Sequence, residues 1–270
     1  MTPPDTITEA IRGAKSQGRP ALVAYITAGF PTQAGFLEQL QAVAGVADVV
    51  EIGVPFTDPM ADGTTIQHSS RVALTQGVSL KWILAQLSAP RPACRAPLLL
   101  MSYLNPLLAY GLDQLPAHAA KAGVAGFIVP DLPLEECAEL REALAAQGVA
   151  LVQFVTPVTP IERMQKLCAA SRGFIYAVTM TGTTGKNVAV PQEALDYFAR
   201  VKSLSPVPVC AGFGIRSRDQ IERLAPYVDG VIVGSALIEV LGRGEDPAAF
   251  LRSLRSVSAQ PTTLGLTCKN

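Results

Sequence analysis

The chain has 270 residues, 49% of them hydrophobic and 16% charged, which is enough apolar side chain for one large core and excludes a disordered chain. Its 22 basic residues balance 22 acidic ones, so no global charge draws it to nucleic acid or an anionic membrane, and any anion it binds must be held locally. Five scattered cysteines, Cys94, Cys137, Cys168, Cys210 and Cys268, with no Cys-x-x-Cys spacing, argue against a disulfide framework or zinc knuckle and read as reduced core thiols.

The opening "MTPPDTITEAIRGAKSQG" lacks the apolar centre of a signal peptide, and no later apolar run approaches the roughly 18 residues of a membrane span, so a cytoplasmic location is expected. Eight short β-rich runs follow: "ALVAYITAG" (21–29), "DVVEIGVPF" (48–56), "APLLLMSYL" (96–104), "GFIVPDL" (126–132), "ALVQFVTP" (150–157), "GFIYAVTM" (173–180), "VPVCAGFG" (207–214) and "GVIVGSAL" (230–237). Amphipathic segments such as "EECAELREALAAQG", with apolar residues near a 3.6 period, separate them. Eight strand-plus-helix units in this length predict an α/β chain folded as one (β/α)8 TIM barrel over 1–270, with an additional N-terminal helix and a flexible tail at 258–270. A doubly wound open sheet is the alternative.

The second run carries an acid, Glu51, between Val49-Val50 and Ile52-Gly53. Overlaying the joints "AGVADVVEIG", "AGVAGFIVPD" and "YVDGVIVG" puts Glu51 in the register of Val129 and Val233, so the fold asks for an apolar residue there. An edge strand would excuse a solvated acid, but a parallel barrel has no edge. A carboxylate at this place is desolvated and its pKa rises, a cost usually tolerated for chemistry.

Active sites of such barrels lie at the carboxyl ends of the strands. Those ends hold Tyr25 and Thr27, Glu51, Tyr103 and Asn105, Asp131, Thr156 and Tyr176, and after the second run an irregular loop, "TDPMADGTT", brings Asp58 and Asp62. Asp62-Gly63 is a plain turn signal; it is equally a loop acid placed to fold back over the mouth and share a pocket with Glu51, two carboxyls in different environments being a common acid/base arrangement. "TGTTGKN" (181–187), "AGFGI" (211–215) and "VGSAL" (233–237) are glycine-bearing turns able to aim backbone N–H groups at a phosphate, the last leading into a short helix. Two histidines, His68 and His118, are too few for a His-rich zinc site, and no lysine falls inside a strand to form a Schiff base. What remains is acid/base catalysis by carboxylates on a phosphorylated substrate.

Between about residues 7 and 257 the chain resembles the α subunit of tryptophan synthase, on "YITAGFP", "VEIGVPFTDPMADGTTIQ", "MSYLNPLLAYG", "VPDLP", "GTTG" and "AGFGI…VGSAL". The resemblance implies cleavage of indole-3-glycerol phosphate to indole and glyceraldehyde 3-phosphate, with indole passed to a β subunit in a heterotetramer of α2β2 type. Pyridoxal phosphate is then expected only in that β subunit. By matching positions Glu51 is the proton-transferring glutamate, Asp62 the partner of the indole N–H, and Tyr176 a substrate-contacting tyrosine. Thr184 and Gly185 belong to a closing loop, Gly214, Gly234 and Ser235 to the phosphate site, and Phe213 and Tyr25 to apolar pocket walls. Thr64 stands where proline is common, and Thr183 where valine or isoleucine is. Two mouth loops, "PFTDPMADG" (55–63) and "NPLLAYG" (105–111), carry the expected β-subunit contacts Asp58, Pro59, Met60, Asn105, Pro106 and Leu107, with Leu108 beside them. A free-standing lyase that releases indole, a silent regulatory subunit and another phosphosugar barrel enzyme are the competing readings.

Overall fold

Asp5 opens the first helix by accepting the backbone N–H of Thr8 on its carboxylate at 3.1 Å, the geometry of an N-cap. The computed structural model describes residues 5–90, 92, 94–179, 190–212 and 214–255. The strands are β1 (Ala21–Thr27), β2 (Val49–Gly53), β3 (Leu98–Met101), β4 (Val124–Ile128), β5 (Ala150–Val155), β6 (Ile175–Val178), β7 (Val209–Gly212) and β8 (Gly230–Val233). They pair in parallel in sequence order, and β8 returns to β1, closing the barrel. Around them run α1 (Thr6–Ser16), α2 (Phe36–Ala44), α3 (Thr64–Thr75), α4 (Leu80–Ser88), α5 (Leu104–Tyr110), α6 (Leu115–Lys121), α7 (Ala138–Ala146), α8 (Ile161–Ala170), α9 (Gln192–Leu204), α10 (Arg218–Leu224), α11 (Ser235–Gly242) and α12 (Pro247–Leu254). Lys15, Lys81, Lys121, Lys166 and Lys202 all lie on these helices.

The additional N-terminal helix closes the amino-terminal end. Ile7, Ile11 and Ala14, at i, i+4 and i+7, form one apolar stripe of α1 and pack with Val23, Val49, Leu99, Ile128, Val152 and Phe174 inside the barrel. A larger cluster fills the layer between strands and outer helices. The strands are covered on both faces, with half-buried positions such as Met101, Tyr176 and Gly212 at the cavity end, so they read as largely apolar runs rather than an alternation.

Two expectations need correction. Val129 and Val233 are not the counterparts of Glu51: both pack in the outer layer, while Ile128 and Ile232 point inward. The overlay slipped because side chains alternate faces along a strand, so a one-residue shift exchanges inside for outside. Secondly, "NPLLAYG" is not an open loop. Its first six residues form most of α5, which stops at Gly111 with φ of 102°, a conformation glycine adopts readily.

Candidate active site

A cavity of about 430 Å³ opens at the carboxyl ends of the strands, within the roughly 300–1,000 Å³ usual for small-ligand sites. Glu51 forms its floor. The residue is in register with Tyr25 on β1 and Leu99 on β3, has no exposed surface, and neither of its carboxylate oxygens has a hydrogen-bond partner among the described residues. Burial, and then the nearby charge of Asp62, push its pKa up to about 8. A buried acid with both oxygens unmatched is costly to the fold, which marks it as kept for a ligand.

Asp62 reaches the same cavity from the β2–α3 loop, and α3 fixes that loop. Ser70 Oγ accepts the Phe56 N–H at 2.9 Å, and Gln67 Nε2 donates to the Asp62 carbonyl at 2.9 Å. From β3's end, Tyr103 completes the support: its hydroxyl accepts the Ala61 N–H at 2.9 Å and donates to the Asp62 carboxylate, while its ring stacks on Phe56 with centroids 5.3 Å apart. Desolvation raises the Asp62 pKa to about 6, and the Tyr103 hydrogen bond works against that rise. Near neutral pH the pair therefore holds one protonated and one ionised carboxyl, the division of labour acid/base chemistry requires. Asp62 is thus a turn residue and a cavity residue at once, since Gly63 follows it as N-cap of α3.

Tyr25 and Tyr176 form the walls, each seated over a glycine. A Cβ on Gly53 would meet Tyr25 Oη at 2.1 Å, and one on Gly212 would meet Tyr176 Cε1 at 2.6 Å, so any larger residue would force the rings to move. Tyr176 packs on Phe154 with centroids 4.8 Å apart. Tyr25 is not a purely apolar wall, because Thr27 Oγ1 lies 3.4 Å from its hydroxyl and 2.7 Å from Ser69 Oγ on α3.

Gly214, Gly234 and Ser235 line the same cavity. Gly214 has φ of +66°, and Gly234 is the N-cap of α11, whose first amides lack intrahelical acceptors and carry partial positive charge. No lysine or arginine side chain lines this cavity among the described residues, so an anion here rests on backbone N–H groups and the Ser235 hydroxyl. Thr184, Gly185 and Phe213, with the 181–187 segment, lie outside the described residues, as does the 258–270 tail.

Of the expected partner contacts, Asp58, Met60 and Asn105 are exposed and Pro59 and Pro106 half-buried. Leu107 is fully buried in the core and is no surface residue; its neighbour Leu108, one step of about 100° round α5, is 52% exposed. The sequence reading also passed over Gly53, Gly212 and Ser69, and gave Tyr103 only a place among the strand ends. Position alone could have raised Tyr103 further, since it directly follows β3 and Ser102. Among the described residues no group of three or more His, Cys, Asp or Glu side chains is arranged to hold a metal ion.

A closed parallel barrel with a buried acid, a second carboxyl and a helix N-terminus around one cavity is a (β/α)8 enzyme built for acid/base work on a small anionic substrate. The chain belongs to the tryptophan synthase alpha chain family, whose model matches residues 11–263. It is 46% identical over 244 residues to the tryptophan synthase alpha chain of Nitratidesulfovibrio vulgaris strain DP4, covering 90% of this chain and 95% of that one. With the alpha chain of Chloroflexus aurantiacus it shares 43% over 265 residues, 94% and 99% of the two chains. Its fold matches a solved Mycobacterium tuberculosis tryptophan synthase structure with a TM-score of 0.84 and 35% identity, over 92% of this chain and 96% of that one.

Proposed function

We propose that the chain acts as a tryptophan synthase alpha chain, splitting indole-3-glycerol phosphate into indole and glyceraldehyde 3-phosphate. The observation that carries this is Glu51, fully buried with neither carboxylate oxygen hydrogen-bonded among the described residues, facing one cavity together with Asp62, burial pushing both carboxyls up, Glu51 the further. Glu51 gives its proton to C3 of the indole ring. The Asp62 carboxylate accepts the indole N–H and stabilises the cationic ring that results. The C3–C1′ bond then breaks with its electron pair returning to the ring, the C1′ hydroxyl becomes the aldehyde, and its proton passes to the Glu51 carboxylate. Glu51 ends as it began, and the proton count balances.

Gly214, Gly234 and Ser235 hold the phosphate, and Tyr25 and Tyr176 the indole and glycerol portions, in this reading. The steps need no metal or cofactor on this chain; pyridoxal phosphate belongs to a β subunit. That partner, in an α2β2 heterotetramer, is supported by membership of the alpha chain family and by the exposed apolar residues at the mouth. Glu51 and Asp62 together count against a silent subunit. An assay of indole release from indole-3-glycerol phosphate, with and without β subunit, tests the reading, and absence of cleavage in both overturns it.

A further inference from the structure

We propose that Arg216 is a positioning residue for the substrate phosphate, acting through Glu239; the inference rests on the phosphate placement above. Two segments carry the anion side of the cavity. One follows β7 and bears Gly214; the other is the start of α11, with Gly234 and Ser235. The same cavity holds the unpartnered carboxyl of Glu51, an independent mark of a ligand site.

Arg216 stands two residues after Gly214, and Glu239 one turn inside α11. Their side chains meet in a two-pronged ion pair, Nη1 to Oε2 at 2.8 Å and Nη2 to Oε1 at 2.6 Å, which ties the two segments with fork geometry that lysine cannot reproduce. Arg216 is itself held: its backbone N–H donates to Gln220 Oε1 at 2.8 Å, and Gln220 with Ser217 forms the capping box of α10. The pair is about one-third exposed on each side, so as a stability element it is worth little. Its electrostatic setting gives it a different use. Glu239 places a negative charge on the helix whose N-terminus receives a dianion, and the guanidinium cancels that charge while fixing the distance between Gly214 and Ser235.

The test compares Arg216→Gln, Arg216→Lys and the exchanged pair Arg216→Glu with Glu239→Arg in the full chain, checked for fold by circular dichroism and thermal melting. Arg216→Gln should raise KM for indole-3-glycerol phosphate roughly fivefold, the size of one unscreened charge acting across a partly solvated site, with kcat within about twofold. Its affinity for glycerol 3-phosphate should fall by the same factor and its affinity for indole should not change. Arg216→Lys should recover part of the loss and the exchanged pair most of it. An Arg216→Gln variant with unchanged KM and glycerol 3-phosphate affinity overturns the proposal; so does a parallel loss of indole affinity, which reports collapse of the whole cavity. If the native chain failed to cleave the substrate, the proposed function would fall, while glycerol 3-phosphate titration of the same variants would still decide the role of Arg216.

Discussion

Glu51 makes opposite demands on stability and on chemistry, and pH separates them. Below its ordinary value of 4.5 the carboxyl is protonated in the folded and the unfolded chain, and contributes nothing. Between 4.5 and about 8 the unfolded chain releases the proton while the folded chain keeps it, so stability falls as pH rises and the full penalty stands above about 8. A gap of that size is worth on the order of 3–5 kcal/mol at most. Glu51→Gln is therefore expected to melt at higher temperature than the native chain at pH 8.5, with the difference closing as pH approaches 4.5; melting curves that coincide at both ends would contradict the buried, neutral acid. The same variant should lose about 10²–10⁴-fold in turnover, the usual worth of a positioned proton transfer. With Asp62 ionised above about 6 and Glu51 protonated below about 8, kcat/KM should follow a bell between those limits. Tyr103→Phe removes the hydrogen bond that favours the Asp62 carboxylate, so the acidic limb of that bell should move to higher pH while the alkaline limb stays. A profile that falls uniformly without moving would reduce Tyr103 to packing.

At the scale of elements, strand pairing decides which residues meet. Tyr25 lies opposite Glu51 and Thr27 opposite Gly53, so the phenol on β1 extends over the bare backbone of β2. Gly53→Ala should push the ring aside and cost about 1–3 kcal/mol in a thermal or denaturant melt, as overpacking in a filled core does. In a Tyr25→Leu background the cost should shrink, and a cycle that showed additive costs would sever the two residues. Much of this frame was legible in the sequence. Eight apolar runs gave eight strands, because a strand buried on both faces has no alternative to apolar side chains, and the acid inside the second run stood out against that demand. The strand ends were less legible: four of the eight strands have four residues, and the flanking residues look equally apolar because they enter the outer layer. The inward face was misread at Val129 and Val233 because period-two patterning disappears when both faces are buried. Leu107 and Leu108 were indistinguishable for a similar reason, since the sequence shows two leucines and only the phase of α5 sends one to the core. The glycines opposite Tyr25 and Tyr176 left no signal, because what they accommodate comes from a neighbouring strand.

For the whole molecule the exposed apolar residues are unevenly placed. The exposed large hydrophobic residues of the described chain are Met60, Leu108, Val158 and Ile161, and all four follow the carboxyl ends of β2, β3 or β5, on the face where the cavity opens. Helices of this barrel bury their apolar faces against the strands, so apolar side chains left in water at one end point to a surface that another protein covers. No described helix is long and apolar enough to cross a membrane. With a β subunit as the covering protein, docking on this face bears directly on the Asp62 loop, because Met60 is two residues from Asp62 and Tyr103 is close before Leu108 on the next unit. Binding of β and binding of substrate then share one loop, and by linkage whatever factor one adds to the other's affinity is returned equally; a loop ordered by both makes that coupling positive. Leu108→Asp should weaken association with β about tenfold or more, as truncation or charging of a buried interface residue commonly does, while the indole-forming rate of the chain alone stays within about twofold. A titration reads both sides of the linkage: the native chain should form indole faster as β is added, and a phosphate-bearing substrate analogue should tighten β binding as much as β tightens the analogue. If saturating β subunit left indole formation and analogue affinity unchanged, the chain would be a free-standing lyase and the apolar mouth would belong to some other contact.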